Sequence, residues 1–166
     1  MTEPNKKIIA NLIKTPDGTI IQSCHVHDYV TYLDKNGFEY SVDGGLDYLK
    51  RSWSTNAPPY QELSVYEDDS HQLIRQYMRW GTRGPQGKDP LKWITLAEMT
   101  DDHIAACLRT QHQMAERFKK AMQTELNYRQ ALKEQNIIEK AITPKQAKTK
   151  KQEKHKQFFH FNYKFI

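Results

Sequence analysis

The sequence predicts an α+β fold: an N-terminal antiparallel sheet of four to six strands, two short helices, one long C-terminal helix and a terminal aromatic strand. Three observations predict it. Short β-branched runs separated by glycine-bearing turns fill the chain up to Asp43, an apolar stripe of helical period starts at Ile104, and aromatic and polar residues alternate from Phe159 onward. The 166 residues suit about one domain.

Taken in order, residues 7–14 (KIIANLIK) and 19–23 (TIIQS) read as paired strands across Thr15-Pro16-Asp17-Gly18, where proline presets φ and glycine tolerates the positive φ a turn needs. Residues 25–33 and 38–42 form a second pair across Asp34-Lys35-Asn36-Gly37, with Asn-Gly supplying the positive φ angles of a tight primed turn. Beyond Gly44-Gly45 the spacing of Leu46, Tyr48, Leu49 and Trp53 fits a short helix, stopped by Pro58-Pro59. Residues 62–66 add a strand. Asp68-Asp69-Ser70 then supplies an N-cap for a helix carrying Leu73, Ile74, Tyr77 and Met78 on one face and ending near Gly81. Three glycines and two prolines make 81–90 a loop.

Thr100 caps the long helix, with Asp101 and Asp102 placed favourably at its positive end. Ile104, Leu108, Ala115, Phe118, Met122 and Leu126 line one stripe, and the pattern runs to about residue 139 before Thr143-Pro144 stops it. Such a helix would be about 57 Å long, more than one domain needs, so its far half is expected to project, break or pack on another copy, and the stripe from Ile104 to Leu126 points to self-association into a homo-oligomer. Residues 158–166 (FFHFNYKFI) set Phe159, Phe161, Tyr163 and Phe165 on one side of a strand, to dock on the protein's own sheet or on a partner. The division is therefore a single α+β domain over 1–143, a basic linker over 144–157 and an aromatic strand over 158–166.

Composition excludes several classes. At 37% hydrophobic residues and a mean hydropathy of −0.87, no stretch approaches the roughly 18 apolar residues of a membrane span, so no membrane partner is expected. The early run IIANLI is too short for the apolar core of a signal peptide. Cys24 and Cys107 stand 83 positions apart in no disulfide or metal spacing, which favours a reduced intracellular chain. Charge is unevenly placed. Seven lysines against Glu153 give residues 144–166 a net +6, which leaves residues 1–143 at −1 within a whole-chain +5. Such a cluster is either a solvated linker or the footprint of an acidic partner.

Four constellations invite a chemical reading. Cys24-His25-Val26-His27-Asp28 would set His25 and His27 on one face of a strand, as paired metal ligands, and with Asp28 could support metal-assisted phosphodiester hydrolysis; two half-buried strand histidines are the plainer account. Asp101-Asp102-His103 resembles an acid/base cluster, yet carboxylates in a first helical turn are ordinary helix-start chemistry. Around loop 81–90, Trp80, Arg83, Lys88 and Trp93 form an aromatic and basic rim of the kind binding hot spots favour, or the tryptophans close the base of the loop. In the tail, Lys150, Lys151 and Lys154 with Phe159, Phe161, Tyr163 and Phe165 could hold single-stranded nucleic acid, phosphates on lysine and bases on rings. No motif calls for a cofactor.

The runs WGTRGPQGKDPLKWITLAEMTDDHIAACLRTQ (80–111) and TPDGTIIQSCHVHDYVTYLDKNGFEYSVDGGLDYLKRS (15–52) are similar to small accessory proteins of T-even-like tailed bacteriophages. The resemblance covers roughly residues 15–130 and leaves the tail outside. It carries over no catalytic residue, because no activity is established for the group. It implies expression in the cytoplasm of an infected bacterium and a host-directed role, through binding and inhibiting or redirecting a host defence or nucleic-acid-processing factor. The expected function is accordingly a non-enzymatic binding protein. The alternatives are a metal-dependent nuclease on His25, His27 and Asp28 and a sequence-tolerant nucleic-acid binder through the tail.

Overall fold

The structure, a computed structural model, describes the backbone of residues 6–162 and the side chains of residues 6–139. Its elements, in chain order, are β1 (Ile8–Lys14), β2 (Ile20–Ser23), β3 (Val30–Leu33), β4 (Glu39–Asp43), β5 (Lys50–Trp53), β6 (Gln61–Glu62), β7 (Val65–Tyr66), α1 (His71–Tyr77), β8 (Arg79–Thr82), β9 (Lys92–Thr95), α2 (Asp101–Thr110) and α3 (Glu116–Asn162). This is an α+β fold. By contacts the chain divides into Met1–Leu126 and Asn127–Ile166. The described part of the second unit is the remainder of α3, to Asn162, where Gln130 donates to Glu134 one turn on at 2.8 Å.

In the first unit β1 is central. It pairs antiparallel with β2 on one side and with β6 and β7 on the other. A register shift between Ile8 and Ala10 inserts an extra residue, so Ile9 turns inward along with its neighbours and residues 9–13 are all buried. Ile9, Ala10 and Leu12 join Ile74 and Met78 of α1, Ile104 and Cys107 of α2, and Phe118 and Met122 of α3 in the larger core. Ile13 belongs to a second core, with Ile21, Tyr40 and Val42, against a separate sheet ordered β3-β4-β5. The meander of four to six strands expected from the sequence is therefore two sheets sharing one strand's burial.

The two hairpins use one turn chemistry. Gly18 and Gly37 hold positive φ (94° and 82°) while Asn36 does not, so the Asn-Gly turn is not the primed turn that the dipeptide suggests. The first residue of each loop organises it instead. The Asp34 carboxylate accepts from the amides of Asn36 and Phe38, and the Thr15 hydroxyl donates to Asp17. The Thr15 hydroxyl, the Thr19 amide and the Tyr32 phenol hold the Asp17 carboxyl well below the usual carboxylate range. A depressed folded pKa stabilises above the unfolded value of about pH 4, and that contribution is lost as pH falls through the folded value.

Five expectations are corrected. Residues 46–53 contain no helix: Gly44 and Gly45 (φ 102° and 52°) turn the chain so that Lys50–Trp53 adds to β4 as β5, while Leu46 packs on the larger core. The strand expected over 25–33 starts at Val30, after a turn. The helix from Ser70, which does cap it by accepting from the Leu73 amide, ends at Tyr77 rather than near Gly81, and 79–82 pairs with 92–95 as a hairpin. The single helix over 101–139 breaks between Thr110 and Glu116. Unbroken from Asp101 to Leu126 it would run about 39 Å, too far for Ile104 and Met122 to reach one core; broken, both sit fully buried in it. The stripe expected to join two copies thus lies in the protein's own core. Finally, the backbone of 144–162, expected as a linker and the start of a strand, continues α3, with Pro144 inside the helix. The lysine, glutamine and alanine content of 145–157 favours helix. Residues 163–166 lie outside the described residues.

Among the described residues, Glu125 is a charged group with no exposure at all. Glu125 of α3 accepts from Nε and Nη2 of Arg75 at 2.9 Å each and bonds Nε2 of His71 at 2.8 Å, which ties α3 to α1. Removing one partner leaves an under-compensated buried charge. Arg75→Ala is expected to lower stability by about 3 kcal/mol, seen as a reduced urea midpoint at unchanged slope; a loss under about 1 kcal/mol would place the pair among ordinary surface bridges.

Candidate functional site

Residues 24–28 form a compact turn between β2 and β3, not a strand. The Asp28 carboxylate accepts from the Cys24 amide at 2.6 Å, the Asp28 amide donates to the His25 carbonyl at 3.0 Å, and the buried Ser23 hydroxyl donates to the Asp28 carbonyl at 2.7 Å. The same hydroxyl accepts from the Gly45 amide at 2.9 Å. Gly45 cannot carry a side chain: its φ is positive, and a Cβ would lie 2.2 Å from the His25 carbonyl carbon. The turn is therefore seated directly on the β4–β5 connection.

This geometry corrects the expected His25/His27 face. The two histidines lie in the turn rather than at alternate positions of a strand, and both are exposed. The His25 ring stacks on Trp93 at 5.8 Å and 26°, and Asp28 is committed to the turn. Among the described residues no group of three His, Cys, Asp or Glu side chains is arranged to hold a metal ion. His103 sits where a helix start puts it, its amide donating to the Thr100 hydroxyl at 3.2 Å. Burial pushes the Cys24 thiol up to about 11, with the Asp28 charge adding and Arg79 opposing. The Cys107 thiol is also raised by burial, although Trp80 bonds it.

The β8–β9 hairpin splits the expected tryptophan rim between two faces. Trp80 is paired with Ile94, and both pack on the larger core; Trp93 is paired with Gly81 on the other face, against His25. A Cβ at Gly81 would meet Leu91 at 3.2 Å and Trp93 at 3.4 Å, so the glycine lets the indole lie flat across the strand. Arg79 anchors the hairpin by donating from Nε to Gln22 of β2 at 2.8 Å, and Gln22 donates in turn to the Tyr77 carbonyl. The tip is shaped by Gly84 (φ 72°), whose missing Cβ leaves room for Asp89. Arg83, Lys88, Leu91 and Lys92 are exposed at the tip. The three cationic side chains have no hydrogen-bond or ion-pair partner among the described residues.

Of the tail candidates, Lys150, Lys151, Lys154, Phe159 and Phe161 fall on the helical backbone of α3, with side chains outside the described residues; Tyr163 and Phe165 lie outside altogether. Sequence reasoning missed the group formed by His71, Arg75 and Glu125, in which Glu125 stands 50 or more positions from the other two. Its one available signal was a glutamate beside Met122 and Leu126 on an apolar helix face.

Comparison with family models, curated proteins and solved structures finds no match for the chain. Among the described residues no helix is long and apolar enough to cross a membrane.

The raised Cys24 pKa predicts a slow thiol. Iodoacetamide at pH 8 should alkylate the folded protein at least about 100-fold more slowly than free cysteine, the rate climbing toward pH 11; alkylation at the free-cysteine rate would place an accessible thiolate at this turn.

Proposed function

We propose that the chain is a phage-encoded accessory protein that acts by binding, and that the β8–β9 hairpin is the element that meets a host protein, a defence or nucleic-acid-processing factor. One observation carries the reading. The hairpin is fixed at its base by Arg79, Gln22 and the Trp93–His25 stack, yet presents at its tip an exposed Leu91 among three unpaired cations, Arg83, Lys88 and Lys92. A rigid base with an unsatisfied tip limits the ordering cost of association. An apolar residue at a tip that carries three cations and one carboxylate, Asp89, suits a hydrophobic pocket with a mainly acidic rim. Two of the four expected catalytic side chains are otherwise engaged, Asp28 by the turn and His25 by Trp93.

The test is capture from bacterial lysate, with and without nuclease treatment, by the full chain and by Arg83→Glu/Lys88→Glu. A stoichiometric protein held by the first and lost at least about tenfold with the second is expected, with weaker retention at high salt. Equal capture by both would remove the hairpin from the account. Retention of nucleic acid alone, abolished by nuclease, would transfer the reading to the lysine-rich tail.

A further inference from the structure

A cleft of about 220 Å³ opens between the loop that joins β7 to α1 and the first turns of α3, well apart from the hairpin in sequence. Arg117, Lys120, Ala121 and Thr124 recur at helical spacing and supply one wall; residues 67–69 supply the other; Ile74 and Ala121, both buried, form the apolar part of the lining. Charges of both signs line it, and three are answered. Asp68 pairs with Lys6 at 2.9 Å, Asp69 accepts from the Tyr66 amide at 2.8 Å, and His71 bonds Glu125.

Three are not. The Arg117 guanidinium uses only Nε, donating to the Ile8 carbonyl at 3.0 Å, and lies 4.7 Å from the centroid of the Phe118 ring; these two contacts orient it and leave its four Nη hydrogens without a described partner. The Lys120 ammonium and, on the facing loop, the Glu67 carboxylate likewise have no partner among the described residues. A ligand that answered only the cations would leave Glu67 facing an anion. One that answered only the carboxylate would leave two cations unmet.

We propose that this cleft binds a small zwitterion of the α-amino acid class, its carboxylate held by Arg117 and Lys120, its ammonium by Glu67, and an apolar side chain against Ile74 and Ala121. The guanidinium suits a carboxylate because its fork donates two parallel hydrogen bonds. The volume accommodates one amino acid. The proposal stands apart from the hairpin reading, shares no residue with it, and fails or holds independently.

The experiment is titration calorimetry on the full chain with alanine, valine and leucine as free amino acids, and with acetate and ethylamine as the separated charges. Lys120→Gln and Glu67→Gln serve as variants, because neither side chain supports the fold through a described contact; urea midpoints confirm that. Saturable binding of at least one amino acid below about 10 mM is expected, weakened about tenfold by each substitution, with acetate and ethylamine each at least about tenfold weaker. The proposal is overturned if no amino acid saturates, if both variants bind as the parent does, or if acetate alone matches the amino acid, which would make the cleft a plain anion site.

Discussion

The structure depends on one strand being buried on both faces. β1 sends Ala10 and Leu12 into the core under the helices and Ile13 into the core under β3–β5. A polar residue in the middle of such a strand is buried with its neighbours, and Asn11 is fully buried. Its amide donates to the carbonyls of Asp43 and Tyr48 at 3.0 and 3.1 Å, and its carbonyl accepts from Arg51 at 2.7 Å. Arg51 is itself nearly buried and also bonds Glu62 and Ser64, so one guanidinium joins β5, β1 and the β6–β7 segment. Every polar atom of the asparagine is met, which is the condition for a buried polar group not to destabilise. The network gives the two sheets a fixed relation that two hydrophobic faces alone would leave adjustable.

The proposed function rests on what that arrangement holds still. The turn at 24–28 is seated on Gly45, and Gly45 is placed by β4, which pairs with the strand carrying Arg51. His25 therefore offers Trp93 a fixed surface, and the hairpin base is held from β2 as well as from its own ladder. Rigid support under an exposed, unpaired tip is the feature on which the proposed recognition role rests. The side chains with chemical potential near it, Cys24 and Asp28, are respectively raised in pKa by burial and engaged with the backbone.

Local signals in the sequence were read where local chemistry decides. Ser70 and Thr100 cap helices because a hydroxyl meets an amide three residues on, whatever the rest of the fold does. Both N-terminal hairpins lie where Gly18 and Gly37 placed them. Reading failed where partners are distant. Residues 46–53 carry a helical spacing of apolar side chains, but β4 offers an edge that they complete, and tertiary pairing overrides the pattern. The stripe from Ile104 to Leu126 was correctly apolar and wrongly continuous, because periodicity reports a face and says nothing of how far a core extends. Of the candidate site, Trp80 and Trp93 were found as residues, but their assignment to opposite faces needed the Arg79–Thr95 register. Glu67, Arg117 and Lys120 give no signal at all in sequence, since fifty positions separate the two walls of their cleft.

Amide hydrogen exchange across residues 6–126 tests the central claim, that β1 makes both cores one cooperative unit, most directly. If Asn11 and Arg51 lock the sheets together, the amides of β1, β4 and the start of α3 should all exchange through the same global opening, with free energies equal within about 1 kcal/mol and falling in parallel with added urea. Opening of β3–β5 at a free energy several kcal/mol below that of β1, with its own urea dependence, would show two separately stable layers and contradict the account.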